Sequence, residues 1–416
     1  MDIREKANYC LSCKAKNCVK GCPLSNDITD AIKFVKANDY ENAYYKFTDT
    51  TVLSSICGRI CPHTKQCQGS CIRGIKGESV SIGEIEAFVG DYGIDNDLEL
   101  KKFQRYESLD KRVAIIGSGP CGITCAATLK RLGVKHVDLY EKKSYLGGLL
   151  VHGIPDFRLP KDIVDRVYSK ILDLGINVKY KMELGKNLLL NDLRSSYDAI
   201  FIAIGANISS KMGIEGEDLV GVYGGNELLE YKDFPDFKGK SVAIVGGGNV
   251  AMDTSRTIKR LGASHVYVVY RRAEEQMPAE KKEIKEAKEE GVEFLFLNNI
   301  VKAIGKDKVE KIECIKTELV FEEGKRPYPV NIPNSNYFLD IDYVIMAIGS
   351  RLDEESVKEV EKNDWNKIKI DEKYRTNIDR VYAAGDAAGI KSTVAWASFS
   401  GREAAKNIYN DLKEEM

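Results

Sequence analysis

Two stretches of this chain share one grammar, and they constrain its fold more than anything else in it. Val113-Ala114-Ile115-Ile116 runs into Gly117-Ser118-Gly119-Pro120-Cys121-Gly122, and Val242-Ala243-Ile244-Val245 runs into Gly246-Gly247-Gly248-Asn249-Val250-Ala251. A short β-branched run that ends in G-x-G-x-x-G or G-x-G-x-x-A and opens a helix is the fingerprint of a dinucleotide-binding βαβ unit. The first glycine allows the tight turn, the second lets backbone approach a pyrophosphate, and the third lets helix and strand pack closely, with the helix N-terminus facing negative charge. The context agrees in both places. A helix over about 123–132 ends at Gly133 before a strand over 137–140, and a helix to Leu261 ends at Gly262 before a strand over 266–270. Two nucleotide-binding modules in an α/β, parallel-sheet regime are expected from Lys111 to the C-terminus.

The two modules differ where the second strand ends. Glu141 lies there in the first, placed to accept hydrogen bonds from ribose hydroxyls, which fits FAD or NAD. Arg271-Arg272 stand there in the second, and arginine accommodates a 2′-phosphate, which favours NADP(H). Near the C-terminus Val381-Tyr382-Ala383-Ala384-Gly385-Asp386 places Asp386 after a short strand, suited to a flavin's ribityl chain. A nicotinamide and a flavin in one chain imply hydride traffic, which needs no acid–base residue. No catalytic side chain is assigned.

Phe201-Ile202-Ala203-Ile204-Gly205 and Val344-Ile345-Met346-Ala347-Ile348-Gly349 echo each other and bracket the second module. They are expected to be crossings between domains, with the second module inserted in the first. The expected division is 1–108 helical, 109–206 first part of the FAD-binding domain, 207–343 NADPH-binding domain, and 344–416 second part of the FAD-binding domain. Between about 302 and 340 short strands and loops are expected, with Pro327, Pro329 and Pro333 at turns.

The first 71 residues hold eight cysteines, against three in the remaining 345. Cys10, Cys13, Cys18 and Cys22 read C-x2-C-x4-C-x3-C-P, close to the bacterial ferredoxin run whose last cysteine binds a neighbouring cluster. Cys57, Cys61, Cys67 and Cys71 follow, so two clusters of four ligands each are expected. A zinc ribbon needs a longer loop between its pairs than the four residues from Cys13 to Cys18. The opening MDIREKANYC has no apolar signal core and no run is long enough to span a bilayer, so a cytoplasmic location is expected, where clustered cysteines are seldom disulfides. Basic and acidic residues nearly cancel, 62 against 63, and no block of like charge suggests nucleic acid. Ahead of Lys111 the sequence reads as a small helical domain, with Ile28, Ile32 and Val35 on one face of a helix over 26–36. Cys121, Cys125 and Cys314 are expected in the core.

Nearly the whole chain resembles the small (β) subunit of NADPH-dependent glutamate synthase and its relatives. Those relatives are the N-terminal half of dihydropyrimidine dehydrogenase, its separate bacterial small subunit, and the large subunit of NADH-dependent ferredoxin:NADP oxidoreductase. The resemblance is carried by Cys10 to Cys22-Pro23, Cys57-Gly58-Arg59-Ile60-Cys61-Pro62, Cys67 to Cys71, Ile82-Gly83-Glu84-Ile85-Glu86, both glycine loops, Gly147-Gly148-Leu149-Leu150, Tyr270-Arg271-Arg272 and Ala384-Gly385-Asp386. It implies one [4Fe–4S] cluster on Cys10, Cys13, Cys18 and Cys71. It implies a second on Cys22, Cys61, Cys67 and Glu86, leaving Cys57 over, whereas counting alone selects Cys57. It also implies a flavin-facing helix beginning near Ser392-Thr393-Val394, whose N-terminus favours anionic reduced flavin.

The implied activity is that of an NADPH-dependent FAD/iron–sulfur oxidoreductase subunit, a hetero-oligomer that hands electrons to a partner subunit. The partner would be a glutamate synthase large subunit, a pyrimidine-reducing subunit, or a ferredoxin or flavoprotein subunit. The early position of Cys10 leans towards the short pyrimidine-reducing subunit, and Arg271-Arg272 lean back towards NADPH. Electron bifurcation at the flavin and a non-catalytic redox sensor or scaffold are the competing readings.

Overall fold

The β-branched run ahead of Gly117 becomes the strand Leu109–Ile116, and it takes the middle place of a five-stranded sheet in the computed structural model, which describes Asp2 to Glu414. The sheet runs Val381–Ala383, Ala199–Ile202, Leu109–Ile116, Val134–Glu141, Asn177–Tyr180, all parallel. Val113 to Ile116 are buried, as a parallel strand covered on both faces requires. The helix Pro120–Leu132 starts with proline in its first turn, where no backbone donor is wasted, and stops at Gly133 with φ +104°.

The second loop repeats this plan. Ser241–Val245 is the middle strand of the parallel order Val222–Gly224, Tyr343–Met346, Ser241–Val245, His265–Tyr270, Glu293–Phe296, and Asn249–Arg260 is its helix. An antiparallel sheet of Asn298–Ile304, Lys311–Val320, Tyr328–Asn331 and Tyr337–Asp340 packs Ile300, Ile312 and Cys314 against Val245 and Val269 of that parallel sheet.

Chain contacts divide the molecule into two units. One comprises the segments up to Val151, Asp156–Ala206 and from Leu352 on; the other comprises His152–Pro155 and Asn207–Arg351. By contacts the second unit runs on to Arg351. Val344 and Ile345 are fully buried between Val222–Gly224 and Ser241–Val245, so this run closes the second sheet rather than crossing between domains. Its echo, Ala199–Ile202, plays the same part in the first sheet. At its ends the second unit pairs two short antiparallel strands, Ile208–Ser209 and Ser350–Arg351.

The N-terminal segment is helical: Ile3–Asn8, Asn17–Lys20, Ile28–Lys36, Tyr40–Thr48, Ser54–Ile60 and Ile82–Asp95. Ile28, Ile32 and Val35 are buried as expected. Ser54–Ile60 and Ile82–Asp95 approach each other closely through glycines. A Cβ on Gly58 would lie 2.3 Å from Ala87 N, and one on Gly90 would lie 2.4 Å from Ser55 N. Among the described residues no helix is long and apolar enough to cross a membrane.

The final helix, Val394–Glu414, packs on Pro120–Leu132, and a Cβ on Gly401 would lie 2.2 Å from Cys121 O. Two buried arginines tie this core to the N-terminal helices. Arg402 Nη1 donates to Leu24 O at 3.1 Å and Thr50 O at 2.9 Å, and Arg131 donates to Thr48 O at 2.6 Å and Lys101 O at 2.8 Å. Because the atom facing Gly401 is backbone and cannot turn away, Gly401→Val is expected to cost about 1–3 kcal/mol, read as a lower urea midpoint.

Candidate functional site

In the N-terminal helices Cys10, Cys13, Cys18 and Cys71 line one cavity, floored by Thr29 and Ile32 of the helix Ile28–Lys36 and by Val80 and Ile82. The two cysteine runs are tied together beside it. Arg73, two residues past Cys71, stacks on the Tyr9 ring at 4.1 Å and donates to Tyr9 O at 2.9 Å. Ser12 N lies 3.4 Å from Cys10 Sγ, and Lys36 Nζ donates to Cys10 O at 2.7 Å.

A second group forms round Glu86. Cys22 feels the charge of Glu86 and Cys57; Cys61 feels Cys57, Glu86 and Cys67; Cys67 feels Glu86, Cys22 and Cys18. Glu86 is no surface glutamate: it is 4% exposed, and its Oε1 accepts from Asn26 Nδ2 at 3.1 Å. Among the described residues no donor reaches its other oxygen. Cys57 lies beside the group and hydrogen-bonds Cys61. Burial pushes the Cys18 thiol up to about 11 and the Cys22 thiol up to about 12, raises Cys61 and Cys67 as well, and lifts Glu86 to about 8. In Cys61 the bond to Cys57 is the larger cause. Metal binding releases such protons.

Among the described residues no three His, Cys, Asp or Glu side chains close on one point as a single ion would demand. A [4Fe–4S] cube takes each protein ligand at a different iron, so its ligands stand further apart than round one metal. A cavity walled by four cysteines fits that group. His63 escaped the sequence reading because it has no ligand spacing; its Nδ1 lies 3.4 Å from Cys67 Sγ and its Nε2 3.1 Å from Gly58 O.

The first glycine loop has the geometry its pattern implies. Gly117 has φ +102°, a Cβ on Gly122 would lie 1.9 Å from Gly117 O, and a Cβ on Gly119 would meet nothing within 4 Å. Gly119 is thus the open face of the loop. Gly148 closes over it, with a Cβ there 2.8 Å from Gly119 Cα, and Leu149 begins the helix Leu149–His152. Glu141, buried, accepts from Ser118 N at 3.1 Å and Lys143 N at 2.8 Å, which fixes its carboxylate at the strand end. Asp386 reaches the loop helix because Gly385, at φ +67°, sits against Cys121. Burial raises the Asp386 carboxyl, while Lys367 and a hydrogen bond with Ser392 oppose that rise. Thr393 caps the final helix, accepting from Trp396 N at 3.3 Å, and Val394 is its first residue. Cys121, Cys125 and Cys314 are buried, as expected.

In the second loop a Cβ on Gly246 would lie 2.2 Å from Ala347 O, while one on Gly248 would meet only Pro278 at 3.9 Å. Asn249 and Val250 open the helix, and Asn249 Oδ1 accepts from Glu280 N at 3.3 Å. Arg271 is exposed; Arg272 is half-buried, with Nε on Pro327 O at 3.0 Å. A third arginine stands with them. Arg326 Nη2 donates to Tyr270 OH at 3.2 Å and Gln276 O at 2.6 Å. It arrives from the antiparallel sheet, more than fifty residues on, where no spacing rule could point to it.

Family models match almost the whole chain. Residues 1–98 match dihydropyrimidine dehydrogenase domain II, 4Fe-4S cluster, and residues 111–404 match pyridine nucleotide-disulphide oxidoreductase. The small chain of NADPH glutamate synthase from Escherichia coli K12 is 34% identical, over 99% of this chain and 91% of that one. The β subunit of an NADP⁺-dependent formate dehydrogenase from Moorella thermoacetica is 33% identical, over 95% of this chain and 60% of that one. In fold, FprA of Mycobacterium tuberculosis, solved in complex with NADPH, superposes with a TM-score of 0.66 at 19% identity, covering 74% of this chain and 85% of that one. The cysteine-lined cavity, the two glycine loops and these matches agree: the chain belongs to the glutamate synthase small-chain family of FAD- and 4Fe–4S-dependent pyridine nucleotide oxidoreductases.

Proposed function

We propose that this chain is the electron-input subunit of a cytoplasmic hetero-oligomer, oxidising NADPH and delivering the electrons to a glutamate synthase large subunit. The observation that carries this is the gathering of ligand-type side chains from two distant runs into two adjoining groups in the N-terminal helices. When bound, FAD supplies the change from a two-electron donor to single electrons, and iron–sulfur clusters supply their carriage.

The residues divide the work by chemistry. Gly117, Gly119, Pro120 and Gly122 bring backbone and a helix N-terminus to the FAD pyrophosphate; Glu141 holds the ribose and Asp386 the ribityl chain, with Gly148, Leu149 and Gly385 shaping the wall. Thr393 and Val394 present the N-terminus of the final helix. Gly246, Gly248, Asn249 and Val250 receive the NADPH pyrophosphate, and Arg271, Arg272 and Arg326 its 2′-phosphate. Cys10, Cys13, Cys18 and Cys71 hold one cluster; Cys22, Cys61, Cys67 and Glu86 hold the other, with Cys57 in contact but not ligating. The match of residues 1–98 to a dihydropyrimidine dehydrogenase domain favours a second reading, in which the partner reduces pyrimidines.

Anaerobic purification is expected to give about eight irons per chain from two clusters and one FAD. About four irons, or zinc, would remove the second cluster from the proposal. Glu86→Ala should lose or alter one cluster's EPR signal and Cys57→Ala should not; the reverse result assigns the ligand to Cys57. Proteins that co-purify name the partner.

Flavin bleaching by NADPH should outpace bleaching by NADH. The double substitution Arg271→Ser, Arg272→Ser should raise the KM for NADPH about 10- to 100-fold, the loss of charge-assisted bonds, and leave that for NADH unchanged. Gly119→Val should fold, since nothing stands where its side chain enters, yet purify without flavin. Retained flavin, seen in its visible absorbance, would refute the placement of the pyrophosphate.

A further inference from the structure

We propose that Asn26 is the positioning residue for the Glu86 carboxylate at the second cluster, and that Thr50 sets the orientation in which Asn26 does so. This rests on the reading of Glu86 as that cluster's fourth ligand. Asn26 is 1% exposed and lies four residues beyond Cys22, ahead of the helix Ile28–Lys36. It touches one of the proposed ligands directly, its side-chain Nδ2 donating to Glu86 Oε1 at 3.1 Å, and its main chain follows closely on another, Cys22.

An asparagine amide has two ends, and chemistry decides which one faces the acid. As an iron ligand Glu86 is a carboxylate, which only accepts, so Nδ2 faces Glu86 and Oδ1 faces away. Oδ1 receives a hydrogen bond from Thr50 Oγ1. The Thr50 hydroxyl also lies 3.2 Å from Phe47 O, a second acceptor within its reach. A reversed amide would put oxygen against carboxylate and waste the hydroxyl.

The segment that carries this arrangement is anchored on both flanks. Arg402 Nη1 clamps Leu24 O and Thr50 O together, and Lys16 Nζ pairs with Asp27 and Asp30 at 2.9 Å each. Glu86 is thereby held by one oxygen, and its second, which no donor among the described residues reaches, is left for iron. Outer partners of this kind fix ligand orientation and modulate charge donation, and their loss typically weakens metal binding 10- to 100-fold. A donor on the carboxylate draws negative charge off the iron, so removing it should make the cluster harder to reduce.

The test uses the full chain with its cofactors, purified anaerobically. Asn26→Leu, of similar size, removes both side-chain bonds; Thr50→Val removes only the hydroxyl; Thr50→Ser keeps it. EPR-monitored redox titration is read on the signal that Glu86→Ala disturbs. Asn26→Leu and Thr50→Val should shift that signal's midpoint to more negative potential and speed iron loss to a chelator about tenfold, with the other cluster unmoved and Thr50→Ser behaving as wild type. An unchanged midpoint and unchanged iron retention in Thr50→Val, whether or not Asn26→Leu folds, would overturn the proposal. If Glu86→Ala disturbs neither cluster, the ligand reading itself has failed, and the positioning role falls with it.

Discussion

The contact on which most of the structure depends is the seam between the helix opened by the first glycine loop and the last helix of the chain. At Gly401 the backbone of Val394–Glu414 meets Cys121 O where no side chain fits, and the Thr124 and Cys121 side chains meet Ser398 and Ser400 at 3.2 and 3.6 Å. The chain leaves the first sheet after Ile202 and returns only with Val381–Ala383, so this seam is what closes the domain around its insertion. The same helix begins at the Thr393 cap, follows shortly after Asp386, and sends Arg402 to the backbone beside Cys22-Pro23 and Thr50. One rigid element thereby connects the nucleotide loop with the iron–sulfur domain, and small residues in its first turns are what allow it to.

The iron–sulfur domain depends on its ligands as strongly as the nucleotide domain depends on that seam. Its helices are short: Ile3–Asn8 has six residues, Asn17–Lys20 four and Ser54–Ile60 seven. Helices below about 12–15 residues are marginal unless tertiary contacts hold them. Here those contacts surround thiols and a carboxylate whose charged forms burial disfavours, Cys22 up to about 12 and Glu86 to about 8. Among the described residues no arginine or lysine pairs with Glu86, and its one hydrogen bond comes from a neutral amide. The 4Fe-4S family match of residues 1–98 supplies a cationic group that would offset this cost, and metal binding of that kind is coupled to the folding of the helices that carry the ligands.

Features set by local backbone geometry were legible in the sequence. The two glycine loops, their helices and Glu141 at a strand end all follow from spacing, because each requirement acts on residues within one turn or one strand. The inserted order of the two modules was legible as well. The end of the insertion was not: Val344-Ile345-Met346 reads like Phe201-Ile202-Ala203, and a run buried on both faces does not say which sheet it completes until its partners Val222–Gly224 and Ser241–Val245 are known. Asn26, Thr50, His63 and Arg326 were illegible for a related reason. Each is a single polar residue whose role is defined by a partner distant in sequence, sixty residues away for Asn26 and Glu86.

The two glycine loops use one backbone device with different surroundings. Gly119 in the first loop and Gly248 in the second are both left open, which suits the pyrophosphate that all dinucleotides share. Discrimination falls to the end of the next strand, where the two sites carry opposite charge. Glu141 is held by the Ser118 and Lys143 backbone N–H groups, which leaves acceptor capacity for ribose hydroxyls and sets a fixed negative charge against a 2′-phosphate. At the other site Arg326 is anchored on Tyr270 and Gln276, and Arg272 on Pro327, so their guanidinium groups are placed in advance while Arg271 stays in solvent. Specificity is a difference of affinities, and it grows when the wrong ligand is repelled as well as the right one attracted. With an acid at one strand end and arginines at the other, a 2′-phosphate would meet opposite electrostatics at the two loops, which is the physical basis for assigning NADPH to the second.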